Sequence, residues 1–254
     1  MSYKSDFSSA KGWNAIDTNI KLTRSQGKSF MGELKKYGVD TIIRYYASSQ
    51  RAKTVSKEEA ELICENGFWF LPVYQDNARK TSDFGSKNGK SSAKNAEKFI
   101  DYIGQPDGTS ILFAVDTDFT KSQIEKYVVP YFEAVKGELG HRIRIGAYGS
   151  GATMEELLER DLIEVPWLSM SRAFTGTKDF FYKKDWAMRQ VPPPLTYAGS
   201  IHYDKNVMKW SPEKIGAFKL GETQSGQVSG IKRDEISSLG TYKKLSKDNW
   251  VKVK

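Results

Sequence analysis

Short apolar segments alternate with amphipathic segments along most of the chain. The apolar segments are rich in β-branched and aromatic side chains, which is typical of buried strands. Eight such segments lie at residues 12–17, 41–47, 68–75, 110–119, 143–148, 165–170, 185–191 and 200–207. Because strands separated by helices pair in parallel through right-handed crossovers, eight of them predict an α/β fold, a closed (β/α)8 barrel of the TIM type that is irregular in its second half. A doubly wound open sheet is the alternative.

The amphipathic segments predict helices at residues 29–37, 56–67, 92–103, 121–139 and 154–160. Ser56 and Glu59 form a capping box at the start of the second helix, and Gly67 suits the left-handed position after its end. Pro130 lies inside the fourth helix, where it removes a backbone donor, so we expect a kink or a division there.

Two stretches depart from this alternation. Residues 76–90 form a long polar loop directly after the third strand, where a barrel places its site-forming loops. Residues 211–254 follow the eighth strand and end in an alternating, edge-strand-like pattern. We expect residues 1–210 to form the barrel and residues 211–254 to be an extension packed on it, since the extension is short for a core of its own.

Composition narrows the chemistry only slightly. The net charge of +8 favours encounter with polyanions without identifying one. Cys64 is the only cysteine, which excludes an intramolecular disulfide and a cysteine-based zinc site. No segment is apolar enough to span a membrane, and the first ten residues lack the apolar centre of a secretory signal peptide. We therefore expect synthesis in the cytoplasm and, for work outside it, export by a non-classical route or a secretion system.

The strand-like segments end repeatedly in acidic and amide side chains. Because active sites of α/β barrels lie at the carboxyl ends of the strands, these residues are the candidates for chemistry. They are Asp17, Tyr74, Gln75, Asp116, Asp118, Tyr148, Gln190, Asp204 and Asn206. A single Asp-x-Asp is often a strand-end cap or a pair of metal ligands, but four aspartates at strand ends favour a functional cluster, because buried charges are costly unless paired.

Asp116 and Asp118 share one face of the fourth predicted strand, so both are expected to point into the barrel mouth. Two like charges held there drive their pKa values apart, which lets one carboxyl donate a proton while the other stays ionised. Arg44 lies inside the apolar second strand and needs a carboxylate partner, for which we expect Asp17 or an aspartate of the fourth strand. Several aromatic side chains could stack on sugar rings or simply pack. They are Tyr45, Tyr46, Tyr74, Tyr148 and Trp186.

Six short motifs at successive strand ends resemble the glycoside-hydrolase-like domain family, first catalogued as a domain of unknown function and related to family 25 lysozymes. The motifs are GWNAID, IRYY, LPVYQ, FAVDTD, IGAYG and YDKN, between about residues 10 and 210. Those lysozymes cleave the β-1,4 link after N-acetylmuramic acid, and the resemblance implies Asp17, Asp116 and Asp204 as site carboxylates. The lysozymes carry Asp-x-Glu on the fourth strand with the glutamate as proton donor, whereas Asp118 stands in that place here.

The sequence thus predicts a muramidase-like glycoside hydrolase of peptidoglycan or a related N-acetylated glycan, with no cofactor and no metal. Asp118 is the expected acid, Asp116 the stabilising carboxylate, and Asp17 and Asp204 their neighbours. The expected substrate-binding residues are Arg44, Tyr46, Tyr74, Gln75, Tyr148, Trp186, Gln190 and Asn206. The alternatives are a carbohydrate-binding barrel without turnover and a metal-dependent hydrolase or transferase using Asp116 and Asp118.

The expected partner is peptidoglycan or another glycan, with no nucleic acid and no membrane. A nucleic-acid binder rests only on the positive charge. The resemblance also suggests an antibacterial role, and such a role implies a secretion apparatus or an immunity protein as a further partner.

Overall fold

The computed structural model describes residue 10 and residues 12–49, 51–221, 242–246 and 249–252. Eight strands form a closed barrel in which they are neighbours in the order of the chain. The predicted barrel is therefore confirmed, and the open sheet is not formed. The strands are β1 (Ala15–Asp17), β2 (Thr41–Tyr46), β3 (Trp69–Tyr74), β4 (Ser110–Ala114), β5 (Arg144–Gly149), β6 (Val165–Leu168), β7 (Met188–Tyr197) and β8 (Ile201–Met208).

The last strand runs against its neighbours. Strands β1 to β7 pair in parallel, but β8 pairs antiparallel with both β7 and β1. The expectation of eight parallel strands is wrong for β8, because a turn of three residues joins it to β7 and leaves no room for a crossover helix. A residue in the middle of β8 can therefore lie level with the carboxyl end of β1.

Helices surround the barrel and connect its strands. They are α1 (Arg24–Lys36), α2 (Lys57–Glu65), α3 (Ser86–Ile103), α4 (Lys121–Gln123), α5 (Val129–Leu139), α6 (Gly151–Glu159), α7 (Thr177–Lys183) and α8 (Pro212–Ile215). The predicted division near Pro130 is present: a π-helical segment, Ile124–Val128, separates α4 from α5. Helix α3 begins six residues earlier than predicted, so the polar loop after β3 is shorter and includes a 3-10 turn, Thr81–Asp83.

Helix α2 is attached to the barrel by a buried ion pair. Arg44 of β2 points outward, is completely buried, and donates from Nε to Glu59 Oε1 at 2.7 Å. The same glutamate oxygen accepts from the Leu22 N–H at 2.8 Å. The expected partner of Arg44, an aspartate of the first or fourth strand, is wrong because the side chain faces α2. Ser56 still caps α2 by accepting from the Glu59 N–H, but the glutamate side chain is committed to Arg44.

The chain divides into two compact units, Met1–Leu220 and Gly221–Lys254. The division falls ten residues beyond the predicted boundary at 210, since Phe218 is buried and pairs through its backbone with Phe70. In the second unit, β9 (Tyr242–Ser246) and β10 (Asn249–Lys252) form an antiparallel pair. The packing of this unit on the barrel stays a prediction. Within the described residues, no helix is both long and apolar enough to span a membrane.

Candidate active site

A cavity of about 840 Å³ opens at the end of the barrel where β1 to β7 finish. The polar loop after β3 forms one of its walls, as expected of a site-forming loop. Its lining residues are Asn19, Tyr45, Lys53, Val73, Gln75, Asp76, Asn77, Arg79, Lys80, Ser82, Asp83, Ala114, Asp116, Tyr148, Trp167, Met170, Gln190 and Asp204. Most of these residues are polar or charged, and three of them, Tyr45, Tyr148 and Trp167, are aromatic.

Asp204 of β8 lines the cavity, and the buried Asp17 of β1 lies next to it. Asp17 ends β1 and lies directly opposite Asp204 in the antiparallel pairing of these strands. Asp17 is almost completely buried, and its Oδ2 accepts from Gln190 Nε2 at 3.0 Å and from Asn206 Nδ2 at 2.8 Å. Gln190 Nε2 also lies 3.4 Å from Asp204 Oδ2. One amide side chain therefore bridges the two carboxyls.

The two carboxyls hold protons more tightly than isolated aspartates. Burial, reinforced by the neighbouring charge of Asp204, raises the pKa of Asp17 to about 7. Burial and the nearby Asp116 raise the pKa of Asp204. The hydrogen bonds from Gln190, Asn206 and Tyr45 favour the ionised form of Asp17 and lower its pKa. Burial raises the pKa by more, so the net shift is upward. This pair can carry a proton at neutral pH.

Asp116 lies on the opposite side of the cavity, just beyond the end of β4, and its carboxylate is paired with a cation. Arg79 donates to Asp116 Oδ2 from Nε at 3.0 Å and from Nη2 at 2.9 Å. Gln75 Nε2 donates to the same oxygen at 3.2 Å. The side chain of Arg79 is 72% exposed, so this pair lies at the open side of the cavity and can exchange partners with a ligand.

Asp118 does not line the cavity. Strand β4 ends at Ala114, so the alternation that was predicted to carry Asp118 to the same face as Asp116 has already stopped. Asp118 is exposed and caps another loop: its carboxylate accepts from the Thr175 N–H at 2.8 Å and from the Thr175 hydroxyl at 3.0 Å. The prediction that Asp118 points into the mouth is therefore wrong.

Three aromatic side chains surround the carboxylates. The Tyr45 hydroxyl donates to Asp17 Oδ1 at 3.3 Å, and the Tyr148 hydroxyl donates to Gln190 Oε1 at 2.8 Å. Trp167 Nε1 donates to the Asn206 side-chain oxygen at 2.9 Å, and its ring meets that of Tyr148 edge to face at 4.7 Å. These bonds fix the rings as a rigid apolar surface beside the acids.

Four of the predicted binding residues lie elsewhere. Arg44 and Tyr46 occupy the outward face of β2, and Tyr46 is completely buried with its ring stacked 4.8 Å from Phe99. Trp186 packs behind the barrel and donates to the Phe181 carbonyl oxygen. Tyr74 faces α3, although its hydroxyl donates to Asp76 Oδ2 at 2.7 Å at the cavity rim. The assignments of Arg44, Tyr46 and Tyr74 are corrected because side chains of one strand alternate between the cavity and the helices. Trp186 is corrected because it lies before β7 begins at Met188.

The sequence reasoning missed three prominent lining residues. Trp167 and Val165 alternate with their neighbours in β6 and share its inward face. The sequence shows this alternation but not which of the two faces points inward. Arg79 and Lys53 lie on loops, where no periodicity marks them. Within the described residues, no group of three or more His, Cys, Asp or Glu side chains is arranged to hold a metal ion.

Comparison with known proteins identifies the family. The model of the Rv2525c-like, glycoside hydrolase-like domain matches residues 32–209. The chain belongs to this family. The uncharacterized protein FadG of Bacillus subtilis is 27% identical over 93% of the chain, which spans 46% of FadG. This chain thus corresponds to less than half of that relative.

Solved structures share the fold. The Tat-secreted protein Rv2525c of Mycobacterium tuberculosis superposes with a TM-score of 0.67 at 19% identity, covering 81% of this chain and 98% of that one. The catalytic domain of endolysin ply40, from bacteriophage P40 of Listeria monocytogenes, superposes with a TM-score of 0.51 at 11% identity, over 82% and 97%. At these identities the likeness establishes the barrel and its topology.

Proposed function

We propose that this glycoside hydrolase-like domain is an active glycosidase, acting on peptidoglycan or a related N-acetylated glycan. The observation that carries the proposal is that Asp116, just beyond the end of β4, and Asp204, in β8, line one cavity, while Asp17 lies buried next to Asp204. A glycosidase needs a carboxyl group that donates a proton and a carboxylate that supports the developing positive charge on the sugar. The cavity offers both kinds of group on facing sides.

The environments of the carboxyls suggest their roles. Asp204 lines the cavity, has a raised pKa, and adjoins the buried Asp17 through Gln190, so we assign it as the proton donor. The buried Asp17 shares a proton with Asp204 and so influences whether Asp204 is protonated. Asp116 is assigned as the carboxylate that faces the oxocarbenium-like sugar. This replaces the expected role of Asp118 as acid.

The walls match the shape of a sugar. Tyr45 and Tyr148 are the partly exposed aromatic rings of the cavity, and the apolar face of a pyranose ring can pack against them, while the buried Trp167 supports Tyr148. The polar loop after β3 adds amides and hydroxyls that can bond to the hydroxyl and acetamido groups of a glycan. The endolysin catalytic domain, whose fold the chain shares, supports a cell-wall glycan as the substrate class.

The ion pair of Arg79 with Asp116 favours a second candidate, a barrel that binds glycans without turnover. With Arg79 on its carboxylate, Asp116 is neutralised and shielded on the open side of the cavity. Turnover then requires that the bound glycan displaces the guanidinium. If it does not, the cavity binds sugar and releases it unchanged.

Access to a cell wall requires export. The Tat-secreted status of Rv2525c supports export for this family, and we propose it for this chain. An antibacterial role, with a secretion apparatus or an immunity protein as partner, stays a prediction.

Digestion of purified peptidoglycan tests the proposal. The wild-type protein, Asp204→Asn, Asp116→Asn and Asp118→Asn are each incubated with peptidoglycan, and the soluble fragments are analysed by mass spectrometry. We expect muropeptides with new reducing ends from the wild type and from Asp118→Asn. We expect a loss of at least about a hundredfold in Asp204→Asn and Asp116→Asn, in line with removal of a general acid or a charge-stabilising group.

The matched variant Asp118→Asn separates the two assignments of the acid. If Asp118→Asn is the only variant that loses activity, Asp118 and not Asp204 is the proton donor. Retention of peptidoglycan by all four proteins without any released product would establish the binding barrel instead.

A further inference from the structure

Lys53 lies in the wall of the cavity, on the loop between β2 and α2, with its ammonium group only partly exposed. Its Nζ donates to Gln75 Oε1 at 3.2 Å and to the Asp76 carbonyl oxygen at 3.4 Å. It also lies 5.0 Å from the centre of the Tyr45 ring. These three contacts are all with neutral groups. None of the ion pairs among the described residues involves Lys53.

A partly buried cation without a carboxylate in contact is unfavourable, and burial accordingly lowers the pKa of Lys53 to about 8. The nearby carboxylate of Asp76 is used elsewhere. It accepts from the Ser48 N–H and hydroxyl and from the Tyr74 hydroxyl, and it pairs with Arg51 at 3.5 Å. The ammonium of Lys53 therefore lines the cavity with carboxylates nearby but none in direct contact with it.

A second cation lies on the same wall. The Arg79 side chain is 72% exposed and donates directly to Asp116. Gln75 connects Lys53 to the same carboxylate by accepting from Lys53 and donating to Asp116. An anion that enters beside Lys53 can also attract Arg79. The exchange would release Asp116 toward the sugar.

We propose that Lys53, with Arg79 beside it, forms an anion subsite in this cavity, and that the glycan bound here carries a carboxylate close to the bond at Asp116 and Asp204. The inference rests on the proposed function, because it names the class of glycan. In this proposal Lys53 binds the carboxylate of the ligand, and Arg79 moves from Asp116 to the same carboxylate.

Two sources can supply the carboxylate: the sugar itself, or a peptide joined to it. Three tetrasaccharides distinguish them. The first is built only of N-acetylglucosamine and is neutral, the second carries a lactyl carboxylate on alternate sugars, and the third has that carboxylate amide-linked to a short acidic peptide. Binding of each is measured by calorimetry in the Asp204→Asn background, which prevents turnover.

Each probe is tested on Asp204→Asn alone and with Lys53→Met or Lys98→Met added. Methionine keeps the stem over Tyr45 and removes the charge, and Lys98 is an exposed lysine of α3 that does not line the cavity. We expect a preference of roughly tenfold or more for a carboxylated probe, in line with a charge-assisted hydrogen bond. Lys53→Met should abolish that preference and leave affinity for the neutral probe unchanged, whereas Lys98→Met should preserve both.

Equal affinity for all three probes, a preference that survives Lys53→Met, or no binding of any probe would overturn the subsite. Preference for the second probe places the carboxylate on the sugar, and preference for the third places it on the peptide. Peptidoglycan digestion by the wild-type protein is scored separately. If the protein cleaves peptidoglycan but binds all three probes equally, it is a glycosidase without the anion subsite. If it prefers a carboxylated probe but does not cleave peptidoglycan, the subsite exists and the proposed glycosidase activity does not.

Discussion

Replacing Asp17 with asparagine should make the protein more stable at alkaline pH. The folded protein raises the pKa of Asp17 from 3.8 to about 7, a shift of roughly three units, and each unit corresponds to about 1.4 kcal/mol. Between about pH 4 and pH 7 the folded state keeps the proton that the unfolded chain releases, so stability falls as the pH rises through this window. Ionised Asp17 therefore costs up to roughly 4 kcal/mol at pH 8.

Asparagine fits the same place without carrying the charge. Its side-chain oxygen can accept from Gln190 and Asn206 as the Asp17 Oδ2 does, and its amide can donate to the Tyr45 hydroxyl. The free energy of unfolding is measured by urea denaturation at pH 4, 6 and 8. We expect Asp17→Asn to be nearly as stable as the wild type at pH 4 and more stable by up to roughly 4 kcal/mol at pH 8.

Asp118→Asn is the matched control, since Asp118 is exposed and lies outside the cavity. At pH 8 it should not gain the stability expected for Asp17→Asn, because the carboxylate that it removes is exposed. A difference for Asp17→Asn that also stays constant from pH 4 to pH 8 would show that burial does not hold a proton on Asp17, and the reasoning would fail.

Three further predictions follow from the contacts. Glu59→Ala should lower the free energy of unfolding by about 3–5 kcal/mol in urea denaturation, because it leaves Arg44 buried and unpaired; a loss below 1 kcal/mol, like that expected for the exposed Glu58→Ala, would refute it. Trp186→Ala should cost about 3–5 kcal/mol of stability and leave glycan affinity intact, and weakened binding in calorimetry would contradict its place behind the barrel. Peptidoglycan release should fall as the pH rises through about 7, where the Asp17–Asp204 pair loses its proton, and activity that grows above pH 8 would argue against that pair as the donor.

The barrel was predictable because its strands are continuous apolar runs separated by helices with clear ends. Helix α2 shows this well, since Ser56 caps it as predicted. The antiparallel direction of β8 was missed although the sequence contains a signal for it: residues 192–199, which begin with three prolines, are too few for a crossover helix between the seventh and eighth apolar segments. Asp204 was expected at the end of a parallel strand, yet it reaches the mouth from the middle of β8 by pairing with Asp17.

The candidate site was harder to predict residue by residue. Alternation divides β2 into two faces, one with Tyr45 and the other with Arg44 and Tyr46, but both faces of a barrel strand are buried and the pattern does not tell which face points inward. The prediction for Asp118 was wrong for a different reason. Strand β4 ends before Asp118, and the position of a strand end depends on tertiary contacts, here the contact with the loop at Thr175. Lys53 and Arg79 carry no periodic signal at all.

The most direct test of the central claim is digestion of peptidoglycan by the wild-type protein in water enriched in oxygen-18. Hydrolysis of a glycosidic bond places one oxygen from water at the new reducing end of each fragment. We expect released muropeptides to gain one heavy oxygen at the reducing sugar, with no such product from Asp204→Asn. Fragments without the label, or no fragments from a wild-type protein that binds the wall, would contradict a glycosidase at this cavity.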